Sequence, residues 1–254
     1  MTIQKHFVCL LLLLAGTAQA QQLAPAEKIE TKKGTLTIQP ILHATLALQW
    51  DNKTIYVDPT GGAKAFAGMT DPDLILITDI HGDHLDLKTL EALNTSKARI
   101  IAPQAVVNQL PESMKAKAVV LANVEKTTQL SIPITAVPMY NLPETADSRH
   151  PKGRGNGYLL EMGGKRIYLS GDTEDIPEMR SLKDIDVAFV CMNLPYTMDI
   201  NQAAAAVLAF KPNVVIPYHY RGQNGLSDVA AFKQLVADGK KKIEVKLLQW
   251  YPEK

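Results

Sequence analysis

A chain of 254 residues, 46% hydrophobic and 21% charged, suits one α/β domain with a sizeable core. Its 27 basic and 26 acidic side chains nearly cancel, so the electrostatic footprint of a nucleic-acid-binding protein is absent. Beyond the N-terminal apolar run no second hydrophobic span, coiled coil or low-complexity tract follows.

Residues 1–20 read as a secretory signal. Lys5 and His6 give a basic start, and residues 7–14 form an apolar stretch too short to span a bilayer. Ala18-Gln19-Ala20 then supplies a small-x-small cleavage site. Cys9 lies inside the apolar stretch, not at a cleavage junction, which argues against a lipid anchor. The expected destination is the bacterial periplasm or the exterior, with no membrane anchor after cleavage. The mature chain keeps one cysteine, Cys191, in an apolar run that reads as a buried strand, so no internal disulfide forms.

Residues 21–34 are polar and read as a loose lead-in to a single domain over 35–254. Strands are expected at 35–41, 45–50, 54–57 and 74–78. A short helix at 87–93 follows, with Asp86 as its N-cap. A strand at 99–102, a helix at 105–110 and a strand at 118–121 complete the first half. The second half opens with strands at 126–130 and 134–137. A hairpin of 158–162 with 166–170 turns at Gly163-Gly164. A strand at 186–191, an alanine-rich helix at 200–210 stopped by Pro212, a strand at 214–217, a helix at 228–237 and a strand at 243–248 finish the chain. The segment 53–58 echoes 165–169, each a strand leading to an acidic turn, Asp58 in one case and Asp172 in the other.

The chemistry concentrates in Thr78-Asp79-Ile80-His81-Gly82-Asp83-His84, directly after the apolar run 74–77. Imidazoles and carboxylates on one tight loop at a strand end can serve two adjacent cations, and the donor set suits zinc, iron or manganese. Farther on come His150 in His150-Pro151-Lys152-Gly153, Asp172 in Gly171-Asp172-Thr173, and His219 in Pro217-Tyr218-His219-Tyr220. Singly these have plain readings: His150 as a solvated loop residue, Asp172 as a turn acid or helix cap, His219 as a packed histidine. Seven candidate ligands are nonetheless the number a two-ion hydrolytic centre needs.

The loop resembles the T-H-x-H-x-D-H signature of the metallo-β-lactamase superfamily, with Asp79 where the first histidine stands. The later motifs follow in family order, and passages such as Val137-Pro138-Met139-Tyr140-Asn141 and Ile176-Pro177-Glu178-Met179 resemble the branch of L-ascorbate phosphate lactonase-like hydrolases. The resemblance implies a four-layer αββα sandwich. One metal would lie on Asp79, His81 and His150 and the other on Asp83, His84 and His219, with Asp172 bridging. Zinc is the expected ion, as a pair of divalent ions, with manganese or iron as alternatives. Asp83 and Asp172 carry the catalytic expectation. The activity it implies is that of an exported metal-dependent hydrolase. A metal-bound hydroxide would attack an ester, lactone, amide or phosphoester bond of a small-molecule substrate. β-Lactam hydrolysis and a non-catalytic metal-binding protein on the same fold are the alternatives. Asp79 would raise the carboxylate count of the shell from two to three, lowering Lewis acidity.

His43, in Leu42-His43-Ala44, either supports the site or lines the cleft, unless it is a buried strand-end histidine. Asp58 is placed to accept from a ligand imidazole, or is an Asp-Pro turn residue. Arg149, Lys152 and Arg154 would suit an anionic substrate or form a solvated basic loop.

Overall fold

Period-two alternation sorts the side chains of the early strands onto two faces. The computed structural model describes residues 23–145 and 147–251. The signal-sequence reading of residues 1–20 lies outside the described residues. β1 (Glu27–Thr31), β2 (Gly34–Leu42), β3 (Thr45–Trp50), β4 (Lys53–Val57), β5 (Leu74–Leu76), β6 (Arg99–Ala102) and β7 (Ala118–Val120) form one sheet in chain order. Leu46, Leu48, Ile55, Val57, Leu74 and Leu76 point to the central core. The intervening Ala47, Tyr56, Ile75 and Ile100 belong to a separate outer cluster with Phe66, Leu90, Val106 and Met114. Those partners come from the 3₁₀ turn Ala63–Phe66 and from α1 (Leu87–Ala92), α2 (Gln104–Val107) and α3 (Glu112–Lys115).

The second sheet holds β8 (Lys126–Gln129), β9 (Ile132–Met139), β10 (Gly155–Met162), β11 (Lys165–Leu169), β12 (Val187–Cys191) and β13 (Val214–Tyr218). After a small hairpin of β14 (Arg221–Gly222) and β15 (Gly225–Leu226), β16 (Glu244–Val245) joins the sheet beside β13. α4 (Pro177–Arg180), α5 (Ile200–Phe210) and α6 (Val229–Asp238) flank it. Ala203, Val207 and Phe210 of α5 and Phe232 of α6 share the central cluster with Tyr168 and Phe189 of the sheet. Two mixed sheets with flanking helices are the expected sandwich.

Both sheets change direction at their fourth strand. β4 runs antiparallel to β3 and parallel to β5, and β11 runs antiparallel to β10 and parallel to β12. The two echoing segments therefore hold equivalent places, and Asp58 and Asp172 both lie just past a switch strand. Parallel strands end on one edge, so the loops after β4, β5, β11 and β13 gather there. The loop before β10 reaches the same edge because β10 is antiparallel to β11.

Most elements stand where expected, and α5 matches residue for residue. Asp199 caps it through a reciprocal box with Gln202, and Lys211 ends it in the left-handed conformation before Pro212. Asp86 caps α1 as expected, accepting from the N–H groups of Lys88 and Thr89. The lead-in is not loose throughout: residues 27–31 form edge strand β1, paired antiparallel with β2 and tied to Lys246 through Glu27 at 2.7 Å. Its sequence carries one apolar residue, Ile29, so it has no hydrophobic signal to read. The last strand is shorter than the expected 243–248, pairing with β13 only over Glu244–Val245.

Candidate metal centre

The Thr78–His84 loop is held from beneath by Asp58. Buried and at φ 44, Asp58 accepts from the Thr78 N–H at 2.7 Å through Oδ1 and from the Thr78 hydroxyl at 2.6 Å through Oδ2. The same Oδ2 lies 2.8 Å from His84 Nδ1. With the Thr78 proton committed to Asp58, the network assigns the proton on His84 to Nδ1. Nε2 then faces the cavity, where either a proton or a cation can take its lone pair. Asn141 plays the same part for His150: its Oδ1 accepts from the His150 N–H at 2.8 Å and lies 3.0 Å from Nδ1. Asn141 is itself fixed by donating to Glu174 Oε1 and to the Tyr196 carbonyl.

Asp172 stands between the imidazoles. Its Oδ2 is 3.3 Å from both His84 Nε2 and His150 Nε2, and its Oδ1 is 3.4 Å from His219 Nε2. Gly171, at φ 61, makes the turn that presents it; a Cβ there would stand 2.6 Å from Met139 Sδ. Asp83 Oδ2 lies 3.3 Å from His219 Nε2, and the Asp83 side chain is the open one, 44% exposed. Opposite, Asp79 Oδ2 is 2.8 Å from His81 Nδ1 and 4.0 Å from His150 Nε2. Ligand atoms of Asp79, His81 and His150 thus fall within 4.8 Å of one another, and so do those of Asp83, His84 and His219.

The donor chemistry fits cations. His84 Nε2, His150 Nε2 and Asp172 Oδ1 are buried without an aligned hydrogen bond, a costly condition unless another partner uses their lone pairs. Burial opposes a charge on His84, yet Asp172 and Asp58 raise its pKa well above the ordinary imidazole value. Burial likewise opposes charge on Asp83 and Asp172. Bonds and charges from His219 and His84 outweigh it on both, with His150 adding to Asp172, and hold both below the usual carboxylate range. The centre attracts positive charge.

The model of the Beta-lactamase superfamily domain matches residues 37–219. A UPF0173 metal-dependent hydrolase of Pyrococcus abyssi is 33% identical over 80% of this chain and 93% of its own length. The chain belongs to this family. A solved structure from Parabacteroides distasonis, described as a candidate metal-dependent hydrolase, is 40% identical and superposes with TM-score 0.79. It covers 90% of this chain and 100% of its own. Igni18, a metallo hydrolase from Ignicoccus hospitalis, shares the fold at TM-score 0.69 and 23% identity over 84% of this chain and 94% of its own.

In this member of the UPF0173 metal-dependent hydrolases the seven residues singled out by sequence converge. His150 is fully buried, so the solvated-loop reading falls away, and His219, at φ 45, is almost as enclosed. Asp58 supports His84 and is no simple turn residue. His43 sits at the rim: its ring meets that of His219 edge-on at 5.6 Å, and its Nδ1 lies 3.1 Å from the Tyr251 hydroxyl. Burial and the neighbouring His219 lower its pKa to about 4, so it is neutral at physiological pH.

The basic cluster does not act as one. Lys152 is engaged by Glu144 and Glu178, Arg149 lies over the Tyr196 ring, and Arg154 is bound to Asp79. Tyr218 is buried, with its hydroxyl accepting from the Gly171 N–H at 2.9 Å. Cys191 is a buried strand thiol, pushed up to about 11 by burial and then by Asp172. Two working roles went unread in the sequence: the hold of Asn141 on His150, and the pairing of Arg154, read there only as part of a basic loop, with Asp79. Neither has a spacing signal, because each acts on a residue brought near only by folding.

Proposed function

We propose that this enzyme is an exported hydrolase of small ester or lactone substrates that works with two divalent ions, zinc foremost. The observation that carries the reading is the pair of three-residue clusters meeting at Asp172. Asp79, His81 and His150 would hold one ion, and Asp83, His84 and His219 the other. Divalent ions in such a shell lower the pKa of a water ligand to roughly 7 and polarise the bond under attack. The chain's own residues do the rest. Asp58 and Asn141 fix the tautomers of His84 and His150. Asp172 is enclosed and set, while Asp83 stands at the opening, where substrate arrives.

The rim supports a substrate with an apolar portion. Leu142 and Leu194, on the loops after β9 and β12, and Leu226, in the β14–β15 hairpin after β13, are 42%, 45% and 53% exposed at this same edge. An ester or lactone also accords with the resemblance to the lactonase-like branch. The test is hydrolysis of a panel of chromogenic esters, lactones, phosphodiesters and a β-lactam, with elemental analysis of the same preparation. We expect two ions per chain and chelator-sensitive turnover of esters or lactones. Turnover confined to the β-lactam would move the assignment, and a metal-loaded chain inert to all would favour a binding protein. Export rests on residues 1–20 alone. N-terminal sequencing of protein from the native cell envelope should find Gln21 first, and a chain that starts at Met1 in the cytosol would sink that part.

A further inference from the structure

Asp79 is the one departure from the superfamily signature, and it does not stand alone. Its carboxylate is fully buried, and Arg154 grips both oxygens, Nε to Oδ1 at 3.0 Å and Nη2 to Oδ2 at 2.8 Å. This is the two-pronged fork that a guanidinium forms with a carboxylate. Oδ2 also faces His81 Nδ1 at 2.8 Å, so one oxygen serves the ligand cluster and the arginine together. Arg154 Nη2 comes within 3.5 Å of His81 Nε2.

Backbone interlock dictates where Arg154 lies. The Asn156 N–H donates to the Thr78 carbonyl at 2.9 Å, which pins the start of β10 to the loop that carries Asp79. Gly155 permits this approach: a Cβ would stand 2.8 Å from the Thr78 carbonyl oxygen and 2.4 Å from Met139 Cε. Gly153, at φ 87, turns the loop just before. The guanidinium is thus delivered to Asp79 by a path that leaves it little choice.

We propose that Asp79 and Arg154 form one charge-neutral unit that stands in for the neutral imidazole of the superfamily signature. Arg154 is its positioning and charge-compensating member. The inference rests on the two-ion reading above. With Arg154 counted, the shell keeps the net charge of two carboxylates although it holds three. The loss of Lewis acidity expected from Asp79 alone is thereby offset. The two positions should behave as a pair, because either change by itself unbalances the site. A histidine at 79 would leave the arginine uncompensated beside a divalent ion, whereas a neutral residue at 154 would leave an excess carboxylate.

Zinc titrations against a chromogenic chelator, with elemental analysis, on the full chain and on Asp79→His, Arg154→Met and the double variant test this. Asp79→His should weaken one of two binding steps by at least about tenfold, through repulsion from the unpaired guanidinium. Adding Arg154→Met to it should restore that step to within about threefold of the parent, since near-neutral units replace one another. Arg154→Met alone should tighten the same step, again by about tenfold. A double variant no better than Asp79→His, or an Arg154→Met protein with unchanged or weaker zinc binding, overturns the unit. If Asp79→His fails to fold, Arg154→Met still decides by the sign of its effect. A parent chain that binds no zinc overturns the two-ion reading and this inference with it. Two tight ions, with zinc binding that Arg154→Met does not tighten or that the double variant does not restore, overturn the inference alone.

Discussion

Asp58 serves three donors with two oxygens: the Thr78 N–H, the Thr78 hydroxyl and His84 Nδ1. Replacing it by alanine leaves buried donors unpaired and frees the His84 ring to turn. Such outer partners of a ligand histidine typically account for about 10–100-fold in metal affinity. Asp58→Ala should therefore weaken the ion on Asp83, His84 and His219 by that order, measured by chelator competition, and lower the thermal midpoint of the apo chain. Unchanged affinity would mean that packing alone orients His84. Asn141 holds His150 in the same way from a neutral amide, which accepts from the ring without adding charge to a site that already has three carboxylates.

At the scale of elements, the critical contact is the one between β10 and its neighbours. Gly157 sits in β10 where a Cβ would stand 2.7 Å from the carbonyl oxygens of both Leu169 and Ser170. Those atoms are backbone and cannot step aside as a flexible side chain would. Gly157→Ala should cost about 1–3 kcal/mol by overpacking. At about 2–4 °C per kcal/mol for a chain of this size, that is a clear fall in melting temperature. Because Asn156, one residue earlier, registers β10 on Thr78, the same substitution should also weaken zinc binding. A melting temperature within 1 °C or so of the parent would show that the strands separate at small cost.

For the whole molecule, the centre is a charged defect that cations repair. At a free ion concentration about 100 times the dissociation constant, each ion adds about 2.7 kcal/mol to stability. Chelation at neutral pH should thus lower the thermal midpoint by at least about 5 °C. In the apo chain burial works against Asp79, Asp83 and Asp172, but their histidine and arginine neighbours prevail and hold all three below the ordinary carboxylate range. A depressed carboxylate contributes stability above its unfolded pKa of about 3.9 and loses it as pH falls toward the folded value. This contribution should be level above about pH 4 and collapse below it. Melts of the apo chain with Asp79→Asn beside the parent check the sign: the variant should lose less stability between pH 4 and pH 2. An equal or steeper loss would mean that Asp79 is not held ionised by its neighbours.

What the sequence determined by itself is the framework and the ligands. Alternating apolar residues fix which side of each strand is inward, because neighbouring side chains of a strand must point to opposite faces. Asp86, Gly163-Gly164 and Pro212 punctuate the chain through local backbone geometry. The seven ligand candidates were legible because each follows an apolar strand or lies in a motif of recognisable order. Tertiary structure decided what those residues are worth. β1 and β16 are edge strands whose pairing depends on a neighbour and not on their own composition. Asn141, nine residues before His150 in the chain, and Arg154, 75 residues beyond Asp79, carry no periodic signal. Their roles arise only where loops from different strands meet at one edge. The charge of the Asp79 site is the sharpest case: one carboxylate reads as an added negative charge in the sequence, while the fold sets a guanidinium against it, and electrostatics depend on distance in space alone.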